Sequence, residues 1–97
     1  MHLSNRDINI IKGYFSGQPV VKAYLFGSYS RGEASENSDI DLLVELDYSQ
    51  QIGWGYFSMK DELENQLQKK VDIVSARGLS KYIAPIIDKE KQLIYER

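Results

Sequence analysis

The sequence has no cysteine, one histidine, two prolines and no excess of positive charge. Each scarcity removes a class of function. Without thiols the chain forms neither a disulfide nor a thiolate metal site. The single His2 stands at the start of the chain and reads as a tail residue rather than a ligand. Lysine and arginine number 12 against 14 aspartates and glutamates, for a net charge of −2. Surfaces that hold duplex DNA by neutralising phosphates are usually basic, so a DNA duplex is not an expected partner, whereas a single nucleotide stays open. No apolar run approaches the roughly 20 residues that span a bilayer, and no membrane association is expected. The N-terminus lacks the apolar segment of a signal peptide. A cytoplasmic location is the expectation.

What is present fits one soluble domain over residues 1–97, with 42% apolar and 27% charged residues and a modest core. Ser4, with Asp7 three residues on, resembles a capping box before a helix whose inner face carries Ile8, Ile11 and Phe15. Gly17 and Pro19 end it. The stretch VVKAYLF, from Val20 to Phe26, is β-branched and aromatic and reads as a strand closed by Gly27. A turn-rich stretch follows, with room for one helical turn. DIDLLVELD is a second strand, apolar on both faces from Leu42 to Val44, and therefore central in a sheet.

A helix is predicted from Phe57 to Gln68, with Phe57, Leu63 and Leu67 inward, an acidic solvated face from Asp61 to Glu64, and Lys69 and Lys70 complementing its dipole. Trp54, between Gly53 and Gly55, is expected to pack in the core, and Tyr82 and Tyr95 read as packing residues. VDIVS (Val71 to Ser75) is a short strand. Ser80 caps a last helix with Ile83, Ile86 and Ile87 inward and Pro85 in its first turn, and QLIYE closes the chain as a strand. The fold class is α/β in the α+β sense: a small mixed β-sheet with helices packed against it.

One stretch does not fit a purely structural reading. Asp39 and Asp41 open the apolar second strand, and residues i and i+2 of a strand share a face. Two like charges about 4 Å apart repel by about 4 kcal/mol at an effective dielectric near 20. Protonation, a cationic side chain or a divalent cation would relieve them. Arg31 is the nearby cation and could serve either an aspartate or a phosphate. Mg²⁺ takes one or two carboxylates together with phosphate oxygens and water. Gly27-Ser28 lies just after the first strand, where glycine lets a backbone approach a phosphate and serine adds a donor. Together these residues point to a nucleoside triphosphate with Mg²⁺.

Gly27-Ser28, ten residues and then Asp39-x-Asp41 resembles the signature of the DNA polymerase beta nucleotidyltransferase superfamily. With GSYSRGEA, SDIDLLV and KKVDIVS in that order, nearly the whole chain is similar to the minimal nucleotidyltransferases, many of them antitoxins encoded beside a HEPN-domain toxin. The resemblance implies a polymerase-beta-like fold and two Mg²⁺ ions held by Asp39, Asp41 and Asp72, the catalytic carboxylates. Gly27, Ser28 and Arg31 would bind the nucleotide, and Asp72 would help activate the acceptor hydroxyl. The implied activity is transfer of AMP from ATP to a hydroxyl, a tyrosine being expected, of a HEPN toxin held in a hetero-oligomer. Ser30 stands where many relatives have alanine. Two alternatives remain at this point: an antitoxin that only binds and occludes its toxin, and transfer to a small molecule, for which so short a chain offers little pocket.

Overall fold

The structure is a computed structural model that describes residues 2–97. Helix α1 (Asn5–Ser16) leads to strand β1 (Val20–Phe26), the single-turn helix α2 (Ser28–Arg31) and strand β2 (Ile40–Leu46). Helix α3 (Gly55–Leu67), strand β3 (Val71–Ser75), a 3-10 turn (Ala76–Gly78), helix α4 (Ala84–Glu90) and strand β4 (Gln92–Glu96) follow. The sheet order is β3-β2-β1-β4. β1 is antiparallel to both β2 and β4, while β2 and β3 are parallel and joined through α3. This is the mixed sheet that the sequence predicts, and β2 is central with Leu42, Leu43 and Val44 all buried.

Alternation along the strands builds the core. Ala23, Leu25, Ile40, Leu42, Val44 and Val71 belong to one buried cluster with Ile11 and Phe15 of α1 and Met59, Leu63 and Leu67 of α3. The opposite face carries Tyr24 and Phe26, paired with Leu43 and Asp41. Near α4 this face is polar: the Tyr24 hydroxyl donates to Glu45 at 2.9 Å, and the Lys91 ammonium sits 4.5 Å from the Tyr24 ring centroid.

Helix α3 departs from expectation. It begins at Gly55, and its buried stripe is Met59, Leu63 and Leu67, spaced by four. Phe57 precedes Met59 by two positions, about 200° around the helix, and is 71% exposed. Trp54 is 85% exposed rather than core, and its ring lies 5.9 Å from that of Phe57. In α4 only Ile87 turns inward; Ile83 and Ile86 are exposed, as is Tyr82, whereas Tyr95 packs partly buried against the core. Ser80 does not cap α4, which starts at Ala84 with Ile83 as its N-cap; the Ser80 hydroxyl and carbonyl accept from the Ile83 N–H and close the turn that precedes the helix. Asp61 and Glu62 are solvated as expected, but Glu64 accepts from the Val71 N–H at 2.8 Å and so pins the start of β3.

The capping box is half made. Ser4 Oγ accepts from the Asp7 N–H at 3.1 Å, but the Asp7 carboxylate is buried and paired with Lys69. Lys69 therefore ties α1 to the α3–β3 connection instead of serving the dipole of α3, which ends at Leu67. Substitution Lys69→Met leaves Asp7 buried without its cation. Removing one partner of a buried pair costs about 3–5 kcal/mol. Because the Lys69 side chain is 41% exposed, the expected loss is about 2 kcal/mol. Urea unfolding measures it, and a loss under about 0.5 kcal/mol, the scatter of ordinary surface substitutions, contradicts a structural role for the pair.

Candidate active site

The site begins where β1 ends. Gly27 has φ +75° and ψ −153°, a conformation open to glycine alone, and it is buried. A Cβ at this position would overlap Asp41 Oδ2. The glycine is therefore required twice, by its backbone and by the carboxylate lying against it. The Gly27 carbonyl accepts from the N–H groups of Ser30 and Arg31 and from the Ser30 hydroxyl, which closes the α2 turn. Among the described residues, the Ser28 hydroxyl and the N–H groups of Ser28 and Tyr29 have no hydrogen-bond partner. They are donors at a turn that can meet an anion.

Register supplies the acids. Asp41 pairs with Phe26 at the end of β1 on one side and with Asp72 of β3 on the other. Side chains of directly paired residues share a face, so Asp41 and Asp72 project together. The Ile40 N–H donates to the Lys70 carbonyl at 2.9 Å and fixes this alignment. Asp39 precedes β2 by one residue and is exposed; a tight turn in which Ser38 Oγ accepts from the Ser35 N–H leads into it. Burial first, then the charges of Asp72 and Asp39, push the Asp41 carboxyl up to about 6 from its ordinary 3.8; Arg31 opposes the shift and Glu90 adds to it. The six residues singled out by sequence thus gather at one end of the sheet: Gly27, Ser28 and Arg31 on the turn, and Asp39, Asp41 and Asp72 across β2 and β3.

Arg31 has company that the sequence does not disclose. Its Nε donates to Glu33 at 2.6 Å and its Nη1 to Glu90 at 2.8 Å, so its ion pairs are glutamates rather than the aspartates. Glu90 lies in a charged run at the end of α4 that reads as ordinary solvated surface.

Among the described residues, no three histidine, cysteine, aspartate or glutamate side chains are arranged to hold a metal ion by themselves. The donor set nevertheless suits Mg²⁺, which is satisfied by one or two carboxylates when phosphate and water complete its shell. Burial first and then the neighbouring acids raise the Asp41 carboxyl, and a cation bound there would oppose that shift.

Comparison with known proteins decides the family. The model of the polymerase beta nucleotidyltransferase domain matches residues 9–97. The chain belongs to that family. A member from Thermococcus cleftensis, named protein adenylyltransferase MntA, is 36% identical over 66 residues, which are 68% of this chain and 66% of that one. Matched stretches cover about two thirds of the length of such curated relatives, 63% for one from Methanocaldococcus jannaschii. A solved toxin–antitoxin structure with AMP-PNP superposes with a TM-score of 0.79 at 25% identity, covering 93% of this chain and 73% of that one. An antitoxin in complex with a tri-AMPylated HEPN toxin of Shewanella oneidensis shares the fold, with a TM-score of 0.72 at 21% identity over 98% of this chain and 74% of that one.

The Asp41 shift gives a pH test. The folded state keeps this proton between the unfolded value of 3.8 and about 6, where the unfolded chain has lost it. Its contribution to stability is full at low pH and is lost as pH rises through 6. Asparagine has no proton to lose. In buffer with a metal chelator, Asp41→Asn is expected to melt higher than the parent above pH 6, and the difference should vanish near pH 4. A difference independent of pH contradicts the crowding of charge at Asp41.

Proposed function

We propose that this protein is a Mg²⁺-dependent adenylyltransferase that moves AMP from ATP to a hydroxyl, a tyrosine, of a HEPN-type toxin, and so acts as that toxin's antitoxin. The observation that carries the proposal is the side-by-side placement of Asp41 and Asp72 against the Gly27 turn. The names of the relatives support it in part: one is a protein adenylyltransferase, and one structural neighbour is a toxin–antitoxin with a bound ATP analogue.

Each residue then has a task. The Ser28 hydroxyl and the N–H groups of the turn donate to phosphate oxygens, and Arg31 pairs with the triphosphate. Asp39 and Asp41, with Asp72, would hold two Mg²⁺ ions, which when bound neutralise phosphate charge and make the acceptor hydroxyl more acidic. Asp72 is exposed at the open edge of the acidic cluster, where an acceptor can reach it. It takes the proton of that hydroxyl. The hydroxyl oxygen bonds to the α-phosphorus, and the bond to pyrophosphate breaks in line.

Occlusion without transfer is the second reading. The exposed Trp54, Phe57, Tyr82, Ile83 and Ile86 favour it, since large apolar side chains in water suit a protein partner. One co-expression experiment separates the two. Asp72→Asn is expected to leave ATP binding in place, to abolish the added AMP mass on the toxin, and to lose protection. Protection that persists with no added mass rejects the catalytic account of neutralisation.

The turn has its own test. A hydrogen bond to a charged group contributes about 1.5–3 kcal/mol. Ser28→Ala is therefore expected to lower kcat/KM for ATP roughly tenfold to a hundredfold with little change in melting temperature. Unchanged kinetics would reduce Ser28 to a turn residue.

A further inference from the structure

Glu90 is unlike the other surface acids of this chain, because both of its oxygens are engaged by the nucleotide turn. Oε1 accepts from the Gly27 N–H at 3.0 Å, and Oε2 accepts from Arg31 Nη1 at 2.8 Å. Its side chain is only 19% exposed. Two residues on, Gln92 Nε2 donates to the Ser30 carbonyl at 3.1 Å. The junction of α4 and β4 therefore grips the Gly27–Arg31 turn at three points from about 60 residues away in the chain.

We propose that Glu90 is a positioning residue for the triphosphate: it fixes the guanidinium of Arg31 and the backbone of Gly27 in the arrangement the nucleotide needs before the nucleotide arrives. This rests on the reading of the turn as a phosphate site. Arginine carries a long stem with much rotamer freedom to lose on binding a ligand. Ordering it in the free protein removes that loss from the binding step. Glu33 alone would not do this, since its side chain is 61% exposed and surface pairs hold geometry weakly. Arg31 Nη2 donates a hydrogen bond to neither glutamate, so one arm of the fork stays available to a phosphate oxygen. The charge of Glu90 is matched by Arg31 and by the Gly27 N–H, which limits its repulsion of the ligand.

The test is calorimetric titration of the full chain with a non-hydrolysable ATP analogue and Mg²⁺. Glu90→Gln keeps an oxygen for the Gly27 N–H but loses the ion pair. It is expected to raise Kd about fivefold to twentyfold. If Glu90 acts through Arg31, the same substitution made on Arg31→Ala changes Kd less than about twofold. Gln92→Ala cuts the neighbouring tie without touching charge, and it is expected to leave Kd within about twofold. Unchanged or tighter binding by Glu90→Gln overturns the proposal and makes Glu90 an occupant that the nucleotide displaces. Equal effects in the two Arg31 backgrounds, or an equal loss in Gln92→Ala, overturn it in favour of simple anchoring of α4. If the unsubstituted protein binds no Mg²⁺-nucleotide, the phosphate reading of the turn falls and this assignment falls with it.

Discussion

The repulsion between Asp41 and its acidic neighbours is the constraint around which this small fold is arranged. Stability alone would disfavour a half-buried carboxylate facing Asp72 across a parallel pair, with Asp39 close by. The surroundings hold the group in place nonetheless. Gly27 gives up a side chain so that the Asp41 carboxylate can lie against its backbone, and Arg31 stands near enough to offset part of the charge. Strain of this kind at a single spot, in an otherwise consistent core, is a local departure from what stability alone would select.

The rest of the structure serves to keep that spot in register. Helix α3 carries the chain from β2 to a parallel β3, and its buried stripe of Met59, Leu63 and Leu67 fixes the helix against the sheet. Glu64 then meets the first N–H of β3, Lys70 accepts from Ile40, and Lys69 reaches across to Asp7 of α1. Four consecutive positions, from Leu67 to Lys70, thus join the core, a left-handed helix end at Gln68, a cross-helix ion pair and the first rung of the ladder.

Local pattern made much of this legible. The β-branched run of β1, the doubly apolar centre of β2 and the spacing of Gly27-Ser28 to Asp39 and Asp41 are short-range signals, and all lie where the sequence places them. Asp72 was readable only through family resemblance, because nothing near it in the chain says which strand it will face. Phe57 and Trp54 misled for a physical reason. Bulky aromatics at the start of a helix read as core, but the face of α3 is set by the Met59, Leu63 and Leu67 spacing, and Phe57 falls opposite it. Glu90 gave no signal at all. Its partners at Gly27 and Arg31 are met only after β4 has closed on β1, and within its own helix it is one charge among several.

The parallel pairing of β2 with β3 has a consequence for how such a chain can vary. Faces alternate with every residue along a strand, so sliding β3 by one position would turn Asp72 toward the hydrophobic cluster and bring an apolar neighbour to the acidic edge. The three-residue stretch between α3 and β3 therefore acts as a ruler. A change in its length would shift that register, whereas an exchange of side chains would not. The loop from Tyr48 to Trp54, which is mostly exposed and lies at the opposite end of β2, is outside that restriction, and an inserted residue there would leave the pairing of β2 with β3 unchanged.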